Sequence, residues 1–319
     1  MKAWHFLGPG HPLERVDIDV PVPGEGEVLV EVRAAGLCHS DVSIMKGVLD
    51  VTSKSPLVLG HEIAGVVLQI GPGVEDVAIG DPVGLAFDRA AAMRGEIDTP
   101  GVSRDGGFAG SVIGKTGFLV PIPKGVSFAQ AAAGTDAGMT AYHAVKVAGR
   151  VGPGMKVGIV GLGGLGLLAA RIAIILGAEV YAAEPKEALW PKARSIGISD
   201  CFADVLEMAP LRLDVICDFA GRGSTTAGAI EAVRSEGRVV QVGQAVRDAT
   251  ISIHALTLKA VELVGSLGGT GDDIAAVYAL IASGQLNPTI ETIGFDDIPA
   301  GLDRLARGAL EGRLVAEYP

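Results

Sequence analysis

The sequence predicts an α/β protein in which a mostly-β region precedes a doubly wound parallel sheet. Short β-rich runs separated by Gly and Pro pairs fill roughly the first 130 residues. From about residue 139, short apolar runs alternate with helical stretches, a pattern typical of parallel sheets. The chain has 319 residues, of which 49% are hydrophobic, enough to form the cores of about two domains of ordinary size.

The N-terminal region shows the pattern of an irregular β domain. Residues 28–32 form one short β-rich run, and residues 63–70 form another. Gly-Pro, Gly-Asp and Pro-Gly pairs lie in the segments around them, and such pairs are typical of turns. We therefore expect several short strands joined by tight turns.

The second region predicts alternating strands and helices. Its apolar runs are short, as is typical of strands buried on both faces of a sheet, and they predict strands over 156–160, 180–183, 214–218 and 238–242. A helix is expected over 164–176, directly after the first of these strands. Near the C-terminus we expect an amphipathic helix over 272–282 and a last strand over 314–316.

A glycine-rich turn follows the first strand of the second region. Its sequence, Gly161-Leu162-Gly163-Gly164-Leu165-Gly166, fits G-x-G-x-x-G. Side chains at the glycines would block the tight turn, the approach of a pyrophosphate to the backbone and close helix–strand packing. The N-terminus of the following helix offers N–H groups and partial positive charge to phosphates. The turn therefore predicts a Rossmann-type dinucleotide site formed by these six residues.

An acidic residue ends the second strand of this region. Glu184 lies roughly 20 residues after the glycine turn, where a carboxylate can accept hydrogen bonds from both adenine-ribose hydroxyls and repel a 2′-phosphate. This favours NAD over NADP. Lys186 lies close by and keeps NADP as the alternative.

Charge and composition exclude several classes of partner. The chain carries 26 Lys and Arg against 37 Asp and Glu, a net charge of −11, whereas nucleic acids and anionic membranes need a basic face. Its 3 cysteines are too few for a disulfide framework and suit a reducing compartment, and Cys201 and Cys217 are expected in the core. Neither a signal peptide nor a membrane span is predicted. We expect a cytoplasmic protein that binds a small molecule, with no nucleic-acid or membrane partner.

Two motifs in the β region contain metal-ligating residue types. They are Gly36-Leu37-Cys38-His39-Ser40-Asp41 and Gly60-His61-Glu62. A thiolate and an imidazole suit zinc, and a catalytic zinc has three protein ligands and an open fourth position. Taken alone, however, such a cysteine is more commonly a core residue and such a histidine a loop residue.

The motifs read together resemble the zinc-dependent alcohol dehydrogenases of the medium-chain dehydrogenase/reductase family. In chain order they are GLCHSD, GHEIAGVV, GDPV, DGGFA, TAYHAV, GLGGLG and VGSLGG, followed by Gly312-Arg313. The resemblance implies a GroES-like catalytic domain over 1–137, a Rossmann NAD-binding domain over 138–266 and a segment, 267–319, that returns to the catalytic domain. It also implies hydride transfer between NAD(H) and an alcohol, aldehyde or ketone.

The resemblance implies one catalytic zinc and no structural zinc. Cys38 and His61 match the first two ligands of the catalytic ion, and Asp136 stands where a cysteine is common and aspartate occurs in some members. One thiolate, one neutral imidazole and one carboxylate suit zinc and offset its charge. Members with a structural zinc carry four closely spaced cysteines, but the segment 84–104 is short here and contains no cysteine.

Further roles near the zinc follow from the same resemblance. Glu62 matches a glutamate that lies near the metal and can enter its coordination shell. Asp41 matches the acid that orients the ligating histidine by accepting its other N–H. Ser40 matches the hydroxyl that hydrogen-bonds the substrate alcohol and begins proton release. In some members this relay ends at a histidine, but Ser43 stands at that position, so the end of the path is not assigned.

Cofactor contacts and assembly are implied as well. His39 matches a position that can face the cofactor phosphates, and Arg313 matches an arginine that binds the pyrophosphate. Thr140, Val242 and Leu267 match positions that line the nicotinamide side. The resemblance also implies a homo-oligomer, either a dimer or a tetramer.

Three other functions are compatible with parts of this pattern. A polyol dehydrogenase would use the same zinc chemistry on a different substrate. A zinc-free quinone or enoyl reductase would keep the fold, but those branches lack the Cys/His/acid set. A binding protein without catalysis would bind the dinucleotide and show no turnover. The substrate itself is not specified, because its pocket residues lie in loops that the sequence does not place.

Overall fold

The computed structural model describes residues 1–308, 310 and 312–318. The strands, in chain order, are β1 (Lys2–Phe6), β2 (Glu14–Asp17), β3 (Glu27–Leu37), β4 (Leu57–Val58), β5 (Glu62–Ile70), β6 (Pro82–Leu85), β7 (Ser111–Lys115), β8 (Leu119–Pro121), β9 (Lys156–Val160), β10 (Glu179–Ala183), β11 (Asp200–Phe202), β12 (Val215–Asp218), β13 (Arg238–Gln241), β14 (Glu262–Gly265), β15 (Ile290–Gly294) and β16 (Arg313–Glu317).

The α-helices are mostly short. They are α1 (His39–Met45), α2 (Arg89–Met93), α3 (Phe128–Ala133), α4 (Met139–Tyr142), α5 (Gly164–Ile175), α6 (Trp190–Ser195), α7 (Ser224–Ala232), α8 (Ile253–Leu258), α9 (Gly271–Ala282) and α10 (Ile298–Ala306). Two π-helical turns flank α4, over Gly134–Gly138 and His143–Ala148. Among the described residues, no helix combines the length and the apolarity that crossing a bilayer requires.

The chain divides into two compact units. The first unit contains Met1–Ala137 and Thr270–Pro319, and the second unit contains Gly138–Gly269. The first unit has a sheet in the order β2-β1-β4 and a larger sheet in the order β15-β16-β3-β5-β6-β8, with β7 also paired to β3. The strand pairs of this unit are mainly antiparallel, and β15 and β16 form a parallel pair.

Strand pairing in the first unit brings the two metal-ligand motifs together. Strand β3 ends at Leu37, one residue before Cys38, and β5 begins at Glu62, one residue after His61. The two strands are antiparallel, and Gly36 pairs with Glu62. The end of β3 therefore meets the start of β5.

Close backbone packing makes glycine necessary at this pairing. A Cβ built on Gly36 would lie 2.0 Å from the Oε2 atom of Glu62. Core residues beneath the sheets include Phe6, Val30, Ile63 and Phe108, all fully buried. The ends of β3 and β5 are thus held by a packed core on one side and by close glycine contacts at the pairing itself.

The second unit is the predicted doubly wound sheet. Its strands are parallel and run in the order β11-β10-β9-β12-β13-β14, so the order reverses between β9 and β12. Ligands bind at the carboxyl ends of such strands, next to the point of reversal. The strand predicted over 156–160 has those bounds in the structure, and the helix predicted over 164–176 is α5, which ends one residue earlier.

The sequence analysis did not predict the two edge strands of this sheet. Strand β11 has only three residues, and β14 is largely exposed. Short or solvent-facing edge strands lack the apolar run that indicates a buried strand. The expected core positions of Cys201 and Cys217 agree with the structure, where both thiols are buried and free, and burial raises the pKa of Cys217 to about 12.

Candidate active site

Four side chains with metal-ligating atoms converge in the first unit. One such atom from each of Cys38, His61, Glu62 and Asp136 lies within 4.8 Å of the others. The Oδ2 atom of Asp136 is 3.7 Å from the Sγ atom of Cys38 and 3.8 Å from the Nε2 atom of His61. A thiolate, an imidazole and a carboxylate at this spacing can surround one zinc ion and leave a fourth position open.

Asp41 links the two segments that carry the first two ligands. It is fully buried in the first turn of α1, and its Oδ2 atom accepts a hydrogen bond from the Cys38 N–H at 3.0 Å. Its Oδ1 atom accepts one from the Gly60 N–H at 3.4 Å and lies 3.2 Å from the Nδ1 atom of His61. The Asp41 carboxylate thus faces the Nδ1 atom of His61, and Asp136 faces its Nε2 atom.

The surroundings of His61 favour a positive charge. Burial alone would lower the pKa of this imidazole, but the carboxylates of Asp41 and Asp136 hold the pKa well above its usual range. A metal ion and a proton compete for the Nε2 atom, because a histidine ligand must be neutral there. A divalent cation at the cluster would satisfy the same carboxylates that otherwise stabilise the proton.

Asp136 is positioned by an irregular helical turn. It lies in the π-helical turn Gly134–Gly138 that follows α3, and isolated π-turns are frequent at functional sites. The side chain of Asp136 is 24% exposed, whereas those of Glu62 and Asp41 are fully buried. Asp136 is thus the most open acid in the cluster.

Glu62, the fourth member of the cluster, also contacts Arg313. Both residues are buried; the Nη2 atom of Arg313 contacts the Oε1 atom of Glu62 and donates a hydrogen bond to the Leu37 carbonyl at 3.2 Å. Burial raises the pKa of Glu62 to about 8, although Arg313 acts in the opposite direction. Within the described residues, the Oε2 atom of Glu62 is buried without a hydrogen-bond partner. Such an orphaned oxygen fits a site built for a cation.

The structure places the other predicted residues of this region near the ligands. The Oγ atom of Ser40 lies 3.6 Å from the Sγ atom of Cys38, and its side chain is partly exposed. His39 is exposed. Arg313, which the sequence analysis assigned to the cofactor pyrophosphate, instead contacts Glu62 in this structure, and its role toward phosphate stays a prediction.

The glycine turn of the second unit has the geometry that phosphate binding requires. Gly161 has φ +87°, in the left-handed region that favours glycine. A Cβ on Gly166 would lie 1.8 Å from the Gly161 carbonyl oxygen, so α5 packs on the turn only without a side chain there. A Cβ on Gly163 would meet no described atom within 4 Å, so this glycine borders open space that a phosphate can fill. Helix α5 begins at Gly164 and directs its N-terminus to this turn.

Glu184 lies beside this turn. Its Oε2 atom accepts a hydrogen bond from the Leu162 N–H at 2.9 Å, and its Oε1 atom accepts one from the Lys186 N–H at 3.0 Å. The Trp190 indole donates to the Glu184 carbonyl at 2.9 Å, which holds the following loop against the strand. The predicted ribose acid and the phosphate turn therefore lie together at the carboxyl edge of the sheet.

The sequence analysis missed a buried acid at the end of β12. Asp218 accepts hydrogen bonds from the Ala220 and Gly221 N–H groups, both at 2.9 Å, and from the hydroxyls of Thr225 and Thr226 at 2.8 and 3.0 Å. These bonds fix the loop that faces Gly161. The sequence held one signal for this role: Asp218 ends a buried strand, and Thr225 and Thr226 follow it.

The residues predicted on the nicotinamide side are in the second unit. Thr140 is buried in α4, Val242 directly follows β13, and Leu267 follows β14 and is 44% exposed. The N–H of Val242 donates to the Asp218 carbonyl at 3.0 Å. Their contacts with a nicotinamide ring stay predictions.

The segment 84–104 of the first unit, which contains no cysteine, has an ionic cluster near its end. It contains helix α2, and Asp98 contacts both Arg104 and Lys115. The guanidinium of Arg104 and the ammonium of Lys115 hold the pKa of Asp98 below its usual value despite partial burial. These charges hold the end of the segment to β7.

Comparison with known proteins identifies the family. Residues 24–124 match the alcohol dehydrogenase GroES-like domain, and residues 164–283 match the zinc-binding dehydrogenase family. An alcohol dehydrogenase from Geobacillus stearothermophilus is 30% identical over 325 aligned positions, which cover 95% of this chain and 96% of the relative. The chain is a medium-chain, zinc-type alcohol dehydrogenase. The family and fold predicted from the sequence are therefore confirmed.

Solved structures support the same assignment. The chain superposes on acetophenone reductase from Geotrichum candidum in complex with NAD with a TM-score of 0.90 and 31% identity, over 99% of this chain and 97% of that one. It superposes on the alcohol dehydrogenase of the archaeon Aeropyrum pernix with a TM-score of 0.90 and 30% identity, over 100% of both chains. As a member of this family, the chain is an oxidoreductase that interconverts alcohols and carbonyl compounds.

Proposed function

We propose that one zinc ion bound by Cys38, His61 and Asp136 is the catalytic centre and that NAD is the preferred cofactor. The convergence of these ligand atoms within 4.8 Å carries the proposal. The uneven exposure of the cluster supports it, since Asp136 is partly open while the other acids are buried. The fourth zinc position is then available to a substrate oxygen.

The residues of the chain have distinct tasks in this mechanism. Zinc, when bound, supplies Lewis-acid polarisation of the substrate oxygen and lowers the pKa of an alcohol there. Asp41 holds His61 in the tautomer whose Nε2 atom is free for the metal. Ser40, beside Cys38, accepts the proton of the alcohol and passes it toward the cofactor ribose and solvent. A bound nicotinamide would supply the hydride acceptor for oxidation of the alcohol and the hydride donor for reduction of an aldehyde or ketone.

Glu184 is the proposed determinant of cofactor preference. Its carboxylate accepts hydrogen bonds from the adenine-ribose hydroxyls and repels a 2′-phosphate, while it also holds the N–H of Leu162. The Glu184→Ala variant is expected to lower kcat/KM with NAD about 10- to 100-fold, the loss of charge-assisted hydrogen bonds. The kcat/KM of this variant with NADP should fall less or should rise, so the preference for NAD over NADP becomes smaller.

The measurement is steady-state kinetics with both cofactors at one fixed alcohol concentration. Glu187→Ala removes an exposed acid three residues further on and serves as the control, with no expected change. An unchanged NAD/NADP ratio in Glu184→Ala would contradict the assignment of this residue.

The function is tested by metal analysis together with a substrate panel. We expect about one zinc per chain by elemental analysis and NADH formation with simple alcohols, lost on chelation and recovered when zinc is added back. Primary, secondary and polyol substrates belong in the panel, because a polyol dehydrogenase is the nearest rival. Equal turnover of a quinone or enoyl substrate after chelation would instead favour the zinc-free reductase.

We also expect the active protein to be a homo-oligomer, either a dimer or a tetramer. The sheet of the second unit ends in β14, whose Leu263 is 40% exposed, and Leu258 of α8 is 72% exposed. An edge strand with apolar neighbours favours association with another chain. A monomeric mass in light scattering would contradict this expectation.

A further inference from the structure

Thr135, which precedes the third predicted ligand Asp136, is hydrogen-bonded to β5, the strand that begins directly after the second predicted ligand, His61. The Oγ1 atom of Thr135 accepts a hydrogen bond from the Ile63 N–H at 3.2 Å and donates one to the Ala132 carbonyl at 2.8 Å. Thr135 is 2% exposed and 72 positions away from Ile63 in the chain. Thr135 precedes Asp136, and Ile63 lies two residues after His61. One hydroxyl therefore bridges the two segments that present these ligands.

Close packing also holds the π-helical turn and the helix before it. A Cβ on Gly84 of β6 would lie 2.8 Å from the Cγ2 methyl of Thr135, and a Cβ on Gly134 would lie 2.7 Å from the Cε1 atom of Tyr278. The Tyr278 hydroxyl in turn donates to the Ala131 carbonyl at 3.1 Å. These contacts pack the turn and α3 against β6 and Tyr278, but none of them is a hydrogen bond to β5. The Thr135 hydroxyl supplies a directional contact with that strand.

We propose that Thr135 is a positioning residue of the metal site, whose hydroxyl sets the place of Asp136 relative to His61. The proposal rests on the proposed function, since it takes Cys38, His61 and Asp136 as the ligands. Zinc–ligand distances tolerate deviations of only about 0.2 Å, so a small shift of the turn weakens binding. Groups that orient metal ligands typically contribute about 10- to 100-fold to metal affinity.

Two substitutions separate the hydroxyl from the rest of the side chain. Thr135→Val keeps the β-branched shape and the methyl contact with Gly84 but removes both hydrogen bonds. Thr135→Ser keeps the hydroxyl and removes the methyl. Thr116→Val is the matched control, because the Thr116 hydroxyl also donates to a backbone carbonyl, that of Gly26 at 3.2 Å, in the same unit but outside the cluster.

The test measures metal binding by the whole chain rather than turnover. Zinc affinity is obtained by competition with a chromogenic chelator, and the ligand geometry by the visible absorption spectrum of the cobalt-substituted protein. We expect Thr135→Val to bind zinc about 10- to 100-fold more weakly and to alter the cobalt spectrum. Thr135→Ser and Thr116→Val should retain the wild-type affinity and spectrum.

The outcomes distinguish this proposal from a merely structural role and from the proposed function. If Thr135→Val lowers the thermal stability of the metal-free protein but leaves the zinc affinity and the cobalt spectrum unchanged, Thr135 does not position the site. If Thr135→Val does not fold, Thr135→Ala replaces it, and a wild-type spectrum there overturns the proposal. If the wild-type chain itself binds no zinc, the proposed function fails first and this inference with it.

Discussion

Asp136→Ala is expected to lose the bound zinc and to lower kcat/KM for an alcohol by more than about 100-fold. Removing a group that only orients a ligand costs about 10- to 100-fold in affinity or activity, and removing a ligand should exceed that range. Alanine leaves Cys38 and His61 as the only two of the three proposed ligands. A catalytic zinc is held by three protein ligands, so the remaining thiolate and imidazole should bind the ion too weakly to retain it.

Asp136→Cys provides the contrasting result. A thiolate is as good a zinc ligand as a carboxylate, with a Zn–S distance of about 2.3 Å, so this variant should retain the metal and measurable turnover. The measurements are zinc per chain after gel filtration and kcat/KM at saturating NAD. Asp76→Ala removes an exposed acid of the first unit and should change neither quantity. Full zinc content and wild-type kcat/KM in Asp136→Ala would show that Asp136 is not a ligand.

The cluster illustrates what the sequence could and could not predict. Cys38 follows β3 and His61 precedes β5, and the long-range pairing of Gly36 with Glu62 brings them together. The spacing of residues along the chain carries no information about that pairing. The family resemblance supplied it, because it assigned Cys38 and His61 to one metal ion. The strand at 156–160 and the glycine turn were predictable directly, because a buried parallel strand and a phosphate turn have strong local patterns.

Thr135 and Asp218 show what remains hidden from the sequence. The Thr135 hydroxyl accepts a hydrogen bond from an N–H group 72 positions away. Asp218 accepts hydrogen bonds from backbone N–H groups of the loop that follows it, and these groups are in place only when that loop is folded. Buried hydrogen bonds of this kind are satisfied only once the tertiary structure exists. Both residues are adjacent to predicted site elements, so the sequence analysis located the sites but not all the residues that support them.

The buried contact between Glu62 and Arg313 also lay beyond the sequence analysis, which assigned the two residues to different ligands. In the structure, Arg313 contacts Glu62 and the Leu37 carbonyl, and its Nε atom is buried without a hydrogen-bond partner among the described residues. A guanidinium held in this way is fixed by the fold before any phosphate is bound. Its contribution to stability can therefore be measured separately from any contribution to cofactor binding.

Arg313→Met is expected to destabilise the metal-free protein by about 3–5 kcal/mol at alkaline pH and by less at acidic pH. Removing one partner of a buried ion pair leaves an uncompensated charge, here the carboxylate of Glu62. That carboxyl can escape the penalty by taking up a proton, since burial already raises its pKa to about 8. Removing Arg313 takes away the cation that opposes this rise.

The sign of the pH dependence follows from proton binding. Above about pH 4.5 the unfolded chain has released the Glu62 proton, whereas the folded variant retains it until pH 8 or higher. The folded state thus binds more protons than the unfolded state over this window, so stability falls as pH rises. Wild-type Glu62 keeps its proton up to about pH 8 as well. The difference between wild type and Arg313→Met should therefore stay constant below about pH 8 and grow above it, where the wild-type carboxyl ionises beside Arg313 and the variant carboxyl stays protonated.

Glu62→Gln combined with Arg313→Met separates the charge from the packing. The double variant has no buried charge at these positions, so much of the lost stability should return and the added pH dependence should disappear. Urea unfolding in the presence of chelator measures this, with Trp4 as the probe of the first unit in a Trp190→Phe background. A cost in Arg313→Met that is the same at pH 6 and pH 9, and that the second substitution does not relieve, would mean that packing of the arginine side chain, rather than its charge, stabilises this part of the fold.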